Sequence, residues 1–161
     1  MVFIHGLEST AQGTKGLYFR QNFPEMIIED YTGNFEQRMR KLSGVLAGKH
    51  GLILVGSSYG GLMAAQFTLQ NEERVRKLIL LAPALNLPEF SPDIHKPLQI
   101  PVIIYHGTDD NIVDPYIVKS IAGKVFPQLE HHLVDDDHSL HNTFAALDWR
   151  KLLQTTGLIE K

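Results

Sequence analysis

The 161-residue sequence contains no cysteine. That excludes a disulfide framework, a thiolate zinc site, an iron–sulfur cluster and a cysteine nucleophile. Basic residues are not in excess: 15 Lys and Arg stand against 18 Asp and Glu, a net charge of −3, which excludes a strongly basic nucleic-acid binder. No run approaches the 18 or so apolar residues of a membrane span, and the opening Met1–Ile4 is too short for a signal peptide. There is no internal repeat, no low-complexity tract and no Gly/Ser linker to divide the chain. The hydrophobic fraction of 43% is ordinary for a globular chain, so disorder is excluded as well. These absences lead to an expectation of one soluble domain over residues 1–161, in the cytoplasm, with no nucleic-acid and no membrane partner.

Short apolar runs do recur: Val2–Ile4, Met26–Ile28, Leu52–Val55, Leu78–Leu81, Val102–Tyr105 and His132–Val134. They are continuous rather than alternating, as parallel strands buried on both faces require. Helical periodicity lies between several of them. Asn34 is a candidate N-cap, followed by Phe35, Met39, Leu42 and Leu46 on one face and Glu36, Gln37, Arg40 and Lys41 on the other. Leu62, Ala65 and Leu69 mark a second helix. Asp114 and Pro115 open a third, which runs to about Val125. Leu140, Phe144 and Leu147 mark a last one, ended by Gly157, with Trp149 packing on the sheet. Alternating strand and helix gives an α/β fold: an open, mostly parallel sheet with helices on both faces, wound by right-handed crossovers. Five of the eight prolines fall between Pro83 and Pro101, so that stretch reads as a pinned surface loop.

In such a sheet the ligand crevice lies beyond the carboxyl ends of the strands. The residues that follow the runs there are His5-Gly6-Leu7, Gly56-Ser57-Ser58-Tyr59-Gly60-Gly61, His106-Gly107-Thr108-Asp109-Asp110 and Asp135-Asp136-Asp137-His138. Gly56 to Gly60 matches the G-x-S-x-G nucleophile elbow with Ser58 at its centre, between a strand and a helix. A serine hydroxyl is a weak nucleophile, and needs a base that is oriented by a third group. Ser58, Asp110 and His138 follow the chain order of serine, acid, histidine, with Asp109 the rival acid and His141 the alternative base. Asp135, Asp136 and Asp137 with His138 and His141 could be drawn as a metal site, but a solvated acidic loop is the simpler reading, and no metal is expected.

On these residues the sequence resembles the α/β-hydrolase superfamily, and within it the small, near-lidless bacterial esterase-like members, the YqiA-like group. The marks are His5-Gly6, the Gly56–Gly61 elbow, His106-Gly107-x-x-Asp110 with Val113, and Asp137-His138-Ser139. The resemblance implies Ser58 as nucleophile, Asp110 as acid, His138 as base, and an oxyanion hole from the backbone N–H groups of Leu7 and Tyr59. His5 becomes a structural residue. The superfamily usually has two more strands before the His-Gly strand, so six are expected here, in the order 2-1-3-4-5-6. The Pro83–Pro101 loop stands where larger members carry a lid. The implied activity is that of a serine hydrolase acting on a carboxylic ester or thioester of a small-molecule acyl substrate, with no cofactor. Amide or C–C bond hydrolysis on the same triad, and a non-catalytic binding protein on the same fold, are the alternatives.

Overall fold

A computed structural model describes residues 1–154. Six strands, β1 (Val2–Ile4), β2 (Ile27–Ile28), β3 (Leu52–Ser57), β4 (Val75–Leu81), β5 (Val102–Gly107) and β6 (Leu129–Val134), form one sheet in the order β2-β1-β3-β4-β5-β6. Every pairing is parallel. This is the expected topology, with β2 one residue shorter than its apolar run and β6 three residues longer. The extra residues of β6 include Glu130 and His131, because an edge strand needs no continuous apolar run to pair with its single neighbour.

The helices are α1 (Thr14–Asn22), α2 (Phe35–Val45), α3 (Tyr59–Gln70), α4 (Pro115–Val125), α5 (His141–Ala146) and α6 (Trp149–Leu152), with a short 3₁₀ turn at Glu72–Arg74. Side chains alternate along each strand and so build two cores. Val2, Ile4, Leu52, Leu54, Leu78, Leu80, Val102 and Ile104 pack under α2, α3 and α4. Phe3, Ile53, Val55, Ile79 and Leu81 pack under α1, α5 and α6.

Local chemistry explains most of the boundaries. Asn34 caps α2 in a reciprocal box: its side chain accepts from Gln37 N–H at 2.9 Å, and Gln37 Oε1 accepts from Asn34 N–H at 2.9 Å. Asp114 accepts from the Tyr116 and Ile117 amides at 2.8 and 3.1 Å, opening α4 at Pro115.

Two expectations need correction. Helix α1 has no counterpart in the sequence reading. Its cap, Gly13, supplies no side-chain bond, and it is held by packing: Phe19 is fully buried and Gly16 sits so close to Ala11 that a Cβ would come within 2.3 Å of its carbonyl oxygen. The single last helix is in fact two, because Leu147 takes an extended conformation and Asp148 recaps the chain by accepting from Lys151 N–H. Trp149 does pack on the sheet as expected; Gly157, the expected stop, lies outside the described residues.

Between β4 and β5 the chain forms turns and no helix, as the five prolines dictate. It is pinned by Leu85, Phe90 and Leu98, all buried, and by Ser91 N–H donating to Gln66 Oε1 at 3.1 Å.

Candidate active site

Strand β3 runs into α3 through a turn of unusual geometry. Ser58 has φ 55° and ψ −116°, a region that side chains other than glycine rarely occupy. The surroundings hold it there. Ser58 N–H donates to Leu81 O at 2.8 Å, and Ser58 O accepts from Gly61, Leu62 and Ala84 amides. The turn closes only because its glycines lack side chains: a Cβ on Gly56 would lie 2.4 Å from Gly60 O, and one on Gly60 would lie 2.1 Å from Ile4 O. The Ser58 hydroxyl is left at the carboxyl edge of the sheet.

His138 arrives from the loop after β6. Its Nε2 is 2.9 Å from Ser58 Oγ, and its Nδ1 is 2.7 Å from Asp110 Oδ2. Asp110 in turn closes the loop after β5: its Oδ1 accepts from the Ile112 and Val113 amides at 2.9 and 2.8 Å. The Asp110 side chain is fully buried. Burial pushes its carboxyl up, but the Val113 amide, the His138 ring and the Ile112 amide together outweigh that and hold it below the usual carboxylate value. It is therefore ionised and acceptor-only, so the proton between it and His138 belongs to Nδ1, and Nε2 is left to accept from Ser58. Asp109 is exposed, and its carboxylate takes no hydrogen bond among the described residues. His141 lies at the start of α5, exposed at the rim of the cleft.

The sequence names His106 only as part of the His106-Gly107-x-x-Asp110 mark and assigns it no role. Fully buried on β5, its Nε2 is 2.9 Å from Asp110 Oδ2 and 3.0 Å from Val113 O. Both partners only accept, so Nε2 carries the proton and donates to each. Burial holds the ring below the ordinary histidine value, against the pull of Asp110, and so neutral. The available signal was its place, one residue before the glycine of the His-Gly pair and four before Asp110.

The acidic run is divided by task. Asp136 accepts from Asp137 N–H at 2.9 Å and from both the amide and the hydroxyl of Thr143 at 2.8 Å; burial would raise its carboxyl, but these bonds hold it low. Asp137 accepts from Ser139 N–H at 2.9 Å, and Asp135 is exposed. The loop crosses directly over Gly107, where a Cβ would lie 2.2 Å from Asp136 O. The aspartates thus shape the turn that carries His138. Among the described residues no three His, Asp or Glu side chains converge as metal ligands would.

Ser58 and His138 open onto a cleft of about 590 Å³, within the range of small-molecule sites. Leu7 and Tyr59 also line it, and neither of their N–H groups donates a hydrogen bond among the described residues. His5 is buried: Nδ1–H donates to Gly6 O at 2.7 Å and Nε2 accepts from Tyr31 N–H at 2.9 Å, which ties the loop after β1 to the segment after β2.

The sheet order, the elbow and the position of the Ser58–His138–Asp110 relay point to one architecture. The chain has the α/β-hydrolase fold. A family model described as the alpha/beta hydrolase fold matches residues 31–96. A protein of the α/β-hydrolase superfamily from Xanthomonas campestris is similar over 90% of each chain, at 24% identity and a TM-score of 0.73. Mouse alpha/beta hydrolase domain-containing protein 10 is 21% identical, covering 89% of this chain and 86% of its own, with a TM-score of 0.69. Est1E from Butyrivibrio proteoclasticus, solved with ferulic acid bound, is 13% identical, with coverages of 89% and 82% and a TM-score of 0.72. No curated protein matches the chain in sequence. These matches reach the superfamily fold and do not single out the YqiA-like group. Among the described residues no helix is long and apolar enough to cross a membrane.

Proposed function

We propose that this α/β-hydrolase is a serine hydrolase cleaving carboxylic esters or thioesters of small-molecule acyl substrates. The observation that carries the reading is the unbroken relay from Ser58 Oγ through the His138 ring to Asp110, at 2.9 and 2.7 Å. In this mechanism Ser58 Oγ bonds to the acyl carbon while its proton passes to His138 Nε2. Asp110 keeps the imidazole in the tautomer that can accept it, and stabilises the imidazolium that forms. The negative charge that develops on the carbonyl oxygen is taken by the Leu7 and Tyr59 amides, a contribution of roughly 3 kcal/mol per donor in comparable sites. His138 then gives its proton to the departing alcohol or thiol. It next takes one from water, whose oxygen attacks the acyl carbon, and passes it to Ser58 Oγ as the Ser58–acyl bond breaks. Est1E, with its bound ferulic acid, is consistent with an acyl substrate on this fold.

The proline-rich loop contributes Ala84, Asn86 and Leu87 to the cleft lining and contains no helix that could cap it. Long acyl chains gain about 0.8 kcal/mol per methylene only where a wall excludes water, so turnover should peak on acyl groups on the order of two to six carbons. Hydrolysis of a series of p-nitrophenyl esters tests both points. Wild type should turn over the short members, and Ser58→Ala should lose at least about a thousandfold in kcat while melting with wild-type cooperativity. A Ser58→Ala protein that retains a tenth of the activity refutes the assignment.

A further inference from the structure

One side chain in the cleft has no part in the relay. Lys15, on the first turn of α1, lines the same cleft as Ser58 and His138. Its Nζ donates to the backbone carbonyl of Ser139 at 2.6 Å and lies 5.6 Å from the centre of the Phe144 ring. An ammonium has three donors, and among the described residues only this one is used. It forms no ion pair among the described residues either. The nearest acids, Asp136 and Asp137, spend carboxylate oxygens on Thr143, Asp137 N–H and Ser139 N–H, as described above. Glu8, also at the cleft, is exposed. Burial lowers the Lys15 ammonium below the ordinary lysine value, against the opposing field of Asp136 and Asp137. A half-buried cation with spare donors in a ligand cleft is an anion-recognition group: the desolvation it has already undergone makes a charge-assisted hydrogen bond stronger than it would be in water.

Its attachment bears on which half of the substrate it meets. Lys15 is bonded to the carbonyl of the residue that follows His138, and in the proposed mechanism His138 hands a proton to the leaving oxygen or sulfur. The half of the substrate that receives that proton is the one next to the loop Lys15 holds.

We infer that Lys15 is a specificity-determining residue, and that the preferred substrates are esters or thioesters whose alcohol or thiol half carries an anionic group such as a carboxylate. This rests on the serine-hydrolase reading and narrows it. The test compares 3-acetoxybenzoate with neutral 3-acetoxybenzamide, and phenyl hydrogen glutarate with phenyl pentanoate, in wild type, Lys15→Met and Lys15→Arg. Ratios of kcat/KM between variants remove the intrinsic reactivity of each ester. Lys15 also holds the loop of His138, so Lys15→Met should lower every rate. The expected result is a further loss of about tenfold for 3-acetoxybenzoate, carried by KM and largely restored by Lys15→Arg, with no such discrimination in the glutarate pair. Equal losses on charged and neutral esters would overturn the inference and leave Lys15 as a brace for Ser139. Discrimination in the glutarate pair alone would also overturn it, by placing the anion on the acyl half. A wild type that hydrolyses none of the four esters and takes up no fluorophosphonate removes the hydrolase reading, and this inference with it.

Discussion

On the face covered by α2, α3 and α4 the core is mostly aliphatic, and the residues of the site that border it, Ser58 and Asp110, are fixed by backbone amides. The opposite face is built around aromatic rings: Phe3, Phe19, Phe144 and Trp149 meet with Phe19–Trp149 centroids 4.8 Å apart and Phe19–Phe144 centroids 5.4 Å apart. That face holds the short helices that flank His138, and there the loop that carries His138 is held by side chains outside the relay: Asp136 accepts from Thr143, Asp137 accepts from Ser139 N–H, and Lys15 donates to Ser139 O. The proposed nucleophile and acid, Ser58 and Asp110, are held by the backbone around them, whereas the proposed base, His138, is carried by a loop that substitutable side chains hold. Changes on the first face should abolish chemistry; changes on the second should tune it or loosen the fold.

The sharpest break on the first face is Asp110→Asn. An amide at this position can donate to Nδ1 and so turn the imidazole into the wrong tautomer, and kcat should fall by about ten thousandfold. Asp109→Asn, one residue away on an exposed side chain, should stay within about threefold of wild type. Steady-state kinetics of the two variants side by side checks this, and the opposite ranking would move the role to Asp109.

On the second face, Trp149→Ala removes a ring that is 1% exposed and whose Nε1–H donates to Phe144 O at 3.0 Å. Chemical denaturation should show a loss of about 3–5 kcal/mol. Below its melting transition the variant should keep kcat within about tenfold of wild type, because Trp149 touches neither Ser58 nor Asp110. His106→Phe probes the boundary between the two regimes. It deletes a buried donor to both Asp110 Oδ2 and Val113 O, so stability should drop by about 1–3 kcal/mol. Its kcat should fall by less than that of Asp110→Asn, and its pH–rate profile should move, since one of the bonds holding the carboxylate is gone.

The smallest expected effect is on the acid side of the stability curve. Asp110 and Asp136 have folded pKa values below the ordinary carboxylate value, so their contribution is present above about pH 4 and is lost as the pH falls through the folded values. His131 titrates earlier. Burial, reinforced by the neighbouring His106, Lys119 and His132 side chains, pushes it down to about 4, and neither of its ring nitrogens has a hydrogen-bond partner among the described residues. Below the unfolded value of about 6.5 the unfolded chain takes the proton more readily, so stability declines from there until the folded ring protonates. Melting temperatures measured from pH 7 to 4.5 should fall less steeply for His131→Leu than for wild type.

The same two faces differ in how far they could be read from sequence. Asn34 as a cap, and Asp114 with Pro115, are local signals, and the helices they open pack by an apolar stripe; both were legible, whereas the reciprocal bond from Gln37 was not. Helix α1 was not. Thr14-Lys15-Gly16 carries no cap, and its residues gain their stability from Ala11, Phe144 and Trp149, which are remote in sequence or reached only through the fold. The break at Leu147 was hidden for a similar reason, since apolar spacing alone continues across it. Within the site, Ser58, Asp110 and His138 were legible because each follows a strand at the sheet's carboxyl edge. Lys15 was not, because it reaches the cleft from a helix the pattern did not show. His106 was quoted with the residues after the strand, but its bond to Asp110 was not legible, because nothing in the local pattern shows that its ring turns into the sheet toward that carboxylate.

The claim on which everything else depends is that Ser58 is an activated nucleophile. Treatment with a fluorophosphonate, followed by intact-mass and peptide mass spectrometry, measures that directly and needs no knowledge of the natural substrate. One adduct per chain is expected, located on Ser58, absent from Ser58→Ala and formed far more slowly in His138→Ala. A folded wild-type protein that takes up no probe, or takes it up at a residue other than Ser58, would contradict it.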